Sequence, residues 1–233
     1  MQLTGPEIEK RIKTSSPNTK PDIIIEPYDS KCIGSNSYDL HLSNLLRVYK
    51  KTLPEGMKPG IVYQEGQNFT MRDWFETALA YEDYCLRPVN YDIRNPKYLL
   101  NPCDKDCHET IDVIIPETGL ILNPTIGYLG ATTEYTETRN LFPYIDGKSS
   151  LGRNFILNHH TAGRGDDGFC GHWTLEIRVL YPTVVFPNMR IGQIYYETFI
   201  GERKPYDKNK SSHYNNQFGP TAAAPIVIEN VVR

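Results

Sequence analysis

No apolar run in this chain approaches the roughly 20 residues that cross a bilayer, so the pattern predicts no membrane span. Cysteine is scarce, with five in 233 residues. An odd handful fits reduced thiols in a cytoplasm better than a disulfide framework. The opening residues, Met1-Gln2-Leu3-Thr4-Gly5-Pro6-Glu7, lack a signal-peptide pattern, and a cytoplasmic location is the expectation. A basic excess is missing too. Lys and Arg number 25 against 28 Asp and Glu, a net charge of −3. General nucleic-acid binders carry surplus positive charge, so neither nucleic acid nor membrane is an expected partner. That balance still permits a local cationic pocket. Internal repeats and low-complexity tracts are absent, which excludes a repeat architecture.

What is present suits a compact β protein. Apolar residues make up 39% of the chain, and 17 Gly and 17 Pro punctuate it. The length predicts one large domain, 1–233, or a core with an insertion. Thr4-Gly5-Pro6-Glu7 reads as a capping box, with a short helix through Ile12. Ile23-Ile24-Ile25 and Tyr38 to Leu42 read as strands. Residues from about 50 to 110 behave differently. Pro54, Gly56, Pro59 and Gly60 break this stretch early, Asp73 to Tyr81 reads as a short amphipathic helix, and Asn95-Pro96 and Asn101-Pro102 read as loops. We take it as an inserted, partly helical segment. From Ile111 onward, short β-rich runs alternate with turns: Asp112 to Ile115, Gly119 to Leu122, Gly127 to Gly130, Thr174 to Leu180 and Ile191 to Phe199. Such spacing predicts a mainly β sandwich or barrel. The tail after Gly219 is rich in Ala and Pro and ends in Ile226-Val227-Ile228.

Two features carry chemistry. Asp146-Gly147-Lys148-Ser149-Ser150-Leu151-Gly152-Arg153 packs a lysine, two hydroxyls and an arginine into six positions. Hydroxyls donate single hydrogen bonds and Arg grips phosphate oxygens bidentately, so the block reads as an anion site. A turn with a surface Arg is the plainer reading. Downstream, Glu176 is one carboxylate in an otherwise apolar, β-prone run, Trp173-Thr174-Leu175-Glu176-Ile177. Pattern alone divides evenly between a solvent-facing Glu and a buried one. A buried carboxylate beside an anion site is expected of a proton-transfer enzyme acting on a phosphorylated substrate.

These blocks resemble the dCTP deaminase family, which shares its fold with trimeric dUTPases. The likeness extends to Thr161-Ala162-Gly163-Arg164-Gly165-Asp166-Asp167-Gly168-Phe169, Pro187-Asn188-Met189-Arg190-Ile191-Gly192-Gln193, Pro205-Tyr206, His213-Tyr214-Asn215-Asn216-Gln217-Phe218-Gly219, and Ser37-Tyr38-Asp39-Leu40 near the start. It is good from about 120 to 225, fair from 1 to 48, and absent between. The resemblance implies a distorted β-barrel or jelly roll of the dUTPase-like type, assembled as a homotrimer with sites at subunit interfaces. It implies metal-independent hydrolytic deamination of dCTP to dUTP and ammonia, with Glu176 as general acid and base. Ser149 then helps hold the nucleophilic water. Lys148, Ser149, Ser150, Leu151, Gly152 and Arg153 contact the triphosphate, which arrives with Mg²⁺. Thr161-Ala162 runs beside the base, Asp166 holds the deoxyribose 3′-hydroxyl, and Thr174, Leu175 and Gln193 complete the substrate contacts. Phe169 supports the packing. Tyr206, His213 and Gln217 belong to a lid, at about 203–220, that folds over the phosphates.

Three positions depart from the family pattern. Lys148 replaces Arg and loses the planar fork. His213 stands where the family has Lys, which weakens a phosphate clamp above neutral pH. Gly163 follows Thr161-Ala162, where purely deaminating members often carry His. Gly163 and Gln193 lean toward a bifunctional enzyme that releases dUMP and pyrophosphate, while Arg164 resembles the deaminase-only type. Both readings stay open. A pure dUTPase is disfavoured by Glu176, and a non-catalytic regulator by Glu176 and Arg153 together. dCMP as the preferred substrate and dTTP as a feedback inhibitor also remain open. Zinc deaminases carry His-x-Glu followed by Pro-Cys-x-x-Cys. Here Pro102-Cys103-Asp104-Lys105-Asp106-Cys107-His108 is one residue too long and no His-x-Glu precedes it, so no catalytic zinc is expected, and a structural metal on Cys103, Cys107 and His108 stays an open alternative. His159-His160 reads as strand with one ring inward, and Cys170 as packing.

Overall fold

The computed structural model describes residues 1–14, 20–86, 100–159, 162–209 and 212–226. Helix α1, Gly5–Lys13, opens the chain. The expected capping box does not form: the Thr4 side chain makes no cap bond. Glu7 is drawn to Arg11 at 2.9 Å instead, and the Gly5 amide donates to the Ser35 carbonyl.

Strands β1 (Ile23–Glu26), β2 (Tyr38–His41) and β3 (Leu45–Tyr49) follow. Next come β4 (Gly60–Val62) and helix α2 (Ala78–Leu86), then β5 (Thr110–Ile114) and β6 (Leu120–Leu122). The helix read over 73–81 is split. Met71–Trp74 is a 3₁₀ turn, Phe75 is extended and bridges to Met57, and α2 begins only at Ala78. Trp74 and Phe75 both lie in the core, and the extended backbone at Phe75 is held by its bridge to Met57 and by the Glu76 amide donating to the Gly56 carbonyl. The remaining elements are β7 (Tyr128–Thr138), β8 (Phe142–Gly147), the single turn α3 (Ser149–Gly152), β9 (Ile156–Leu157), β10 (Cys170–Val179), β11 (Thr183–Val185) and β12 (Arg190–Glu197).

Among the described residues the strands form one six-stranded and two three-stranded sheets, with every ladder antiparallel. The large sheet runs β5-β3-β7-β10-β9, with β1 also on β7. The others run β11-β6-β4 and β2-β12-β8. A bridge from Leu42 to Thr132 links β2 to the middle of β7, so the sheets curl around a common core as a mainly β, distorted barrel. Residues 50–86 are stitched to that barrel by β4, which pairs with β6.

Strand alternation sets the core. On β10 Trp173, Leu175, Ile177 and Val179 are buried while Thr174 and Glu176 face outward. A His172/Thr174 register shift interrupts the β10–β7 ladder near the start of that outward face.

Candidate active site

The outward face of β10 forms one wall of a cleft of ≈ 440 Å³. That volume falls within the ~300–1,000 Å³ usual for small-molecule sites. β10 supplies Thr174 and Glu176, and β3 supplies Tyr49. The loop before β10 supplies Ala162, Arg164 and Asp166. The C-terminal segment closes the rim with Tyr206, Tyr214, Gln217, Thr221 and Ala223. Six of the residues expected from sequence thus meet on one cleft: Ala162, Asp166, Thr174, Glu176, Tyr206 and Gln217.

The geometry corrects one expectation directly. Glu176 is not a buried carboxylate in the single chain: its side chain is 40% exposed, because alternation turns it away from the core. It approaches His159, with 3.7 Å from Oε2 to Nδ1. Leu175, its neighbour, faces the core and is fully buried. The adjacent aspartates divide in the same way. Asp166 is exposed on the cleft, whereas Asp167 is buried, grips Arg203 at 2.8 and 3.0 Å and accepts from the Asn140 amide. That bidentate hydrogen bond raises the Arg203 guanidinium pKa further. Phe169 packs between Trp173, at 4.6 Å, and Tyr206, at 6.2 Å.

The C-terminal segment is laid down by main-chain pairing. Gly171 bridges Gln217 in parallel, His172 N–H donates to the Gln217 carbonyl, and Gln217 Nε2 donates to the His172 carbonyl at 2.7 Å. Gly171 has φ +143, and a Cβ there would press on the Gln217 backbone at 3.1 Å. Further along, the Thr221 amide donates to Thr174 Oγ1 and the Ala223 amide to the Tyr49 hydroxyl. The Tyr206 hydroxyl accepts from the Tyr214 amide. His213 does not line the cleft; its ring lies 6.3 Å from that of Tyr214. Tyr49, Thr221 and Ala223 went unnoticed in the sequence, since a tyrosine ending a strand and an Ala-rich tail carry no chemical signature.

The anion block lies elsewhere on the same chain. None of Lys148, Ser149, Ser150, Leu151, Gly152 and Arg153 lines the cleft. Lys148 Nζ is bound to Asp39 Oδ1 at 2.5 Å, and Arg190 holds the other oxygen at 3.2 Å. Asp39 is buried, so this triad is a structural clamp between β2, β8 and β12. Ser149, Ser150, Gly152 and Arg153 are exposed around α3, and Leu151 packs against the core. Among the described residues Arg153 makes no ion pair. Gln193 pairs opposite Asp39 and Asp146 and accepts from Ser37 Oγ at 3.1 Å.

Gly163 sits where no side chain fits: a Cβ there would fall 2.3 Å from the Ile145 carbonyl. Its own carbonyl accepts from the Ile145 amide, and Arg164 bridges Tyr144, so this stretch runs along β8. His159 is not in a strand but two residues past β9, with its ring buried. Thr161, His160, Asn95-Pro96 and Val227-Ile228 lie outside the described residues. The Cys170 thiol is half-buried and bonded to Asn215 and Asn216. Cys107 is buried against Asp104, and among the described residues no three His, Cys, Asp or Glu side chains are grouped to hold a metal. All five cysteines are free thiols. Among the described residues no helix is long and apolar enough to cross a membrane.

The fold and cleft together describe a small-molecule site on a mainly β barrel, with a carboxylate exposed to the ligand space. A family model described as dCTP deaminase-like matches residues 91–199. A "dCTP deaminase, dUMP-forming" of Clostridium botulinum (strain Alaska E43 / Type E3) is 37% identical over 219 residues, covering 94% of this chain and 93% of that protein. One of the same description from Leptospira biflexa is 37% identical over 210 residues, covering 90% and 89%. The chain belongs to the dCTP deaminase family. A crystal structure of a dCTP deaminase from Agrobacterium tumefaciens also aligns, with a TM-score of 0.47 and 17% identity, over 84% of this chain and 47% of that one.

Proposed function

We propose that this protein hydrolytically deaminates dCTP and carries the product on to dUMP. The observation that carries the reading is the meeting of Ala162, Asp166, Glu176, Tyr206 and Gln217, from separate sequence blocks, on one ligand-sized cleft. In the first step water adds to C4 of the cytosine, Glu176 takes its proton, and that proton passes to N3. The second proton of the water goes by the same carboxylate to the 4-amino group, which leaves as ammonia. One carboxylate able to accept and return protons suffices for this sequence. Ser149 holds the water, Arg153 grips phosphate, and Mg²⁺ enters as part of the substrate complex.

The anion block and the cleft stand apart within one chain, so the complete site joins Glu176 of one copy to Arg153 of another in a homotrimer. A second water then cleaves the α–β phosphoanhydride, giving dUMP and pyrophosphate. The names of the relatives favour this over release of dUTP, and Gly163, where purely deaminating members often carry His, leans the same way. dTTP, which shares the deoxyribose and triphosphate, is the natural feedback ligand. Free thiols at all five cysteines fit a cytoplasmic location.

The test is to incubate pure protein with dCTP and Mg²⁺ after dialysis against a zinc-selective chelator, then to separate the products. Ammonia, dUMP and pyrophosphate without accumulating dUTP are expected. Accumulated dUTP reduces the reading to deamination alone, and a rate restored only by zinc overturns the role of Glu176.

A further inference from the structure

His159 has a position that the chemistry proposed above does not use. Its side chain is only 7% exposed, and its Nδ1 is buried with no hydrogen-bond partner. An unsatisfied buried ring nitrogen costs stability and calls for an explanation. The register supplies one. In the β9–β10 ladder Leu157 stands opposite Arg178, and Ile156 opposite Val179. Carried two residues past the end of β9, that antiparallel register sets His159 opposite Glu176. The side chains agree, with Nδ1 lying 3.7 Å from Oε2 of Glu176 and both residues lining the cleft. The backbone holding the ring is fixed on both sides. Asn158 donates to the Ile191 carbonyl at 3.1 Å, and Gly163, which lies 3.7 Å from the ring when given a Cβ, has no space for a side chain.

We propose that His159 is the positioning residue for Glu176, an inference that rests on the deamination proposed above. In the occupied cleft its Nδ1–H donates to Oε2. That fixes the carboxylate rotamer and leaves Oε1 to take the proton from water. At 3.7 Å the bond is unmade; catalytic hydrogen bonds are commonly long in an empty site and tighten with substrate. His159 itself gains and loses no proton in the cycle. Its donor favours the ionised, basic form of Glu176. The other titratable or charged groups facing the cleft are Tyr49, Arg164, Asp166, Tyr206 and Tyr214, and Arg178 follows on the same face of β10.

The test compares His159→Ala, His159→Asn and His159→Gln in the full-length protein with Mg²⁺. Asn places an amide N–H near the position of Nδ1; Gln places it near Nε2. For His159→Ala and His159→Gln, kcat for dCTP is expected to fall on the order of 10- to 100-fold, with KM within about threefold. The acid limb of the pH profile should move upward. His159→Asn should recover most of the rate and return the limb. The carboxyl titration of Glu176, followed by ¹³C NMR and assigned with Glu176→Gln, should shift upward in the Ala and Gln variants and not in Asn. A well-folded Gln variant with full kcat and an unmoved limb overturns the proposal, and so does an Asn variant as slow as Gln. If the wild type fails to deaminate dCTP but the carboxyl titration still shifts, the pairing stands and the deamination reading falls. If the wild type deaminates and the titration does not shift, the pairing falls.

Discussion

Glu176 and Leu175 are neighbours in the chain, yet one meets the cleft and the other the core. The two-residue period of a strand makes that division, and it assigns each a distinct failure. Glu176→Gln keeps the shape and removes the proposed base. Deamination is expected to drop by about 10²–10⁴-fold with nucleotide affinity little changed, as read by single-turnover rate and calorimetry. Near-normal turnover would take Glu176 out of the mechanism. Lys148 shows the opposite case. The sequence groups it with Arg153 as a phosphate ligand, whereas in the fold it neutralises the buried Asp39. Lys148→Met should therefore lower unfolding stability by about 1–3 kcal/mol and change KM little, because Arg190 alone is left on Asp39. Arg153→Ala should raise KM and lower kcat while leaving the denaturation midpoint in place. A Lys148 variant of unchanged stability and raised KM would return that lysine to the phosphate.

The C-terminal segment lines one side of the cleft. It docks through main-chain bonds at Gly171 and His172, then at Thr174 and Tyr49, and few apolar side chains anchor it. Elements held this way open locally at low cost. Truncation after Asn209 removes Tyr214, Gln217, Thr221 and Ala223 from the cleft and leaves Phe169 covered by Tyr206. KM for dCTP is expected to rise by an order of magnitude or more, with the thermal midpoint shifted little. A large loss of stability would make the segment part of the core. Its Pro-Tyr and Gln-Phe-Gly blocks were legible by resemblance, but its path was not, since it depends on contacts with a bulged strand 45 to 47 residues upstream.

At the scale of the molecule, one chain exposes Phe155, Leu157, Leu180 and Tyr181 together beside the β9–β10 edge. Phe155 is held at φ +57 with its ring 5.4 Å from that of Tyr181. Contiguous apolar exposure of this kind is what the proposed trimer would cover. Light scattering after gel filtration is expected to give three times the chain mass. Phe155→Glu combined with Tyr181→Lys should shift it toward the monomer and abolish activity with it. Monomers that retain full activity would show that the cleft needs no second copy.

The sequence by itself determined the mainly β class, the short N-terminal helix and the chemistry-bearing blocks. Those depend on local period, turn residues and residue type. The sequence left Glu176 evenly divided between solvent and burial, because an apolar, β-prone run suits a strand covered on both faces as well as one covered on a single face. Only the tertiary structure chose, by packing Leu175 and Ile177 onto the core and turning Glu176 outward. It also gave Lys148 to Asp39, separated Asp166 from Asp167, and broke the 73–81 helix by bridging Phe75 to Met57. It brought His159 opposite Glu176 through a register that no local pattern encodes. Such pairings are fixed by contacts across 17 to 109 residues of chain, and a window of neighbouring residues does not contain them.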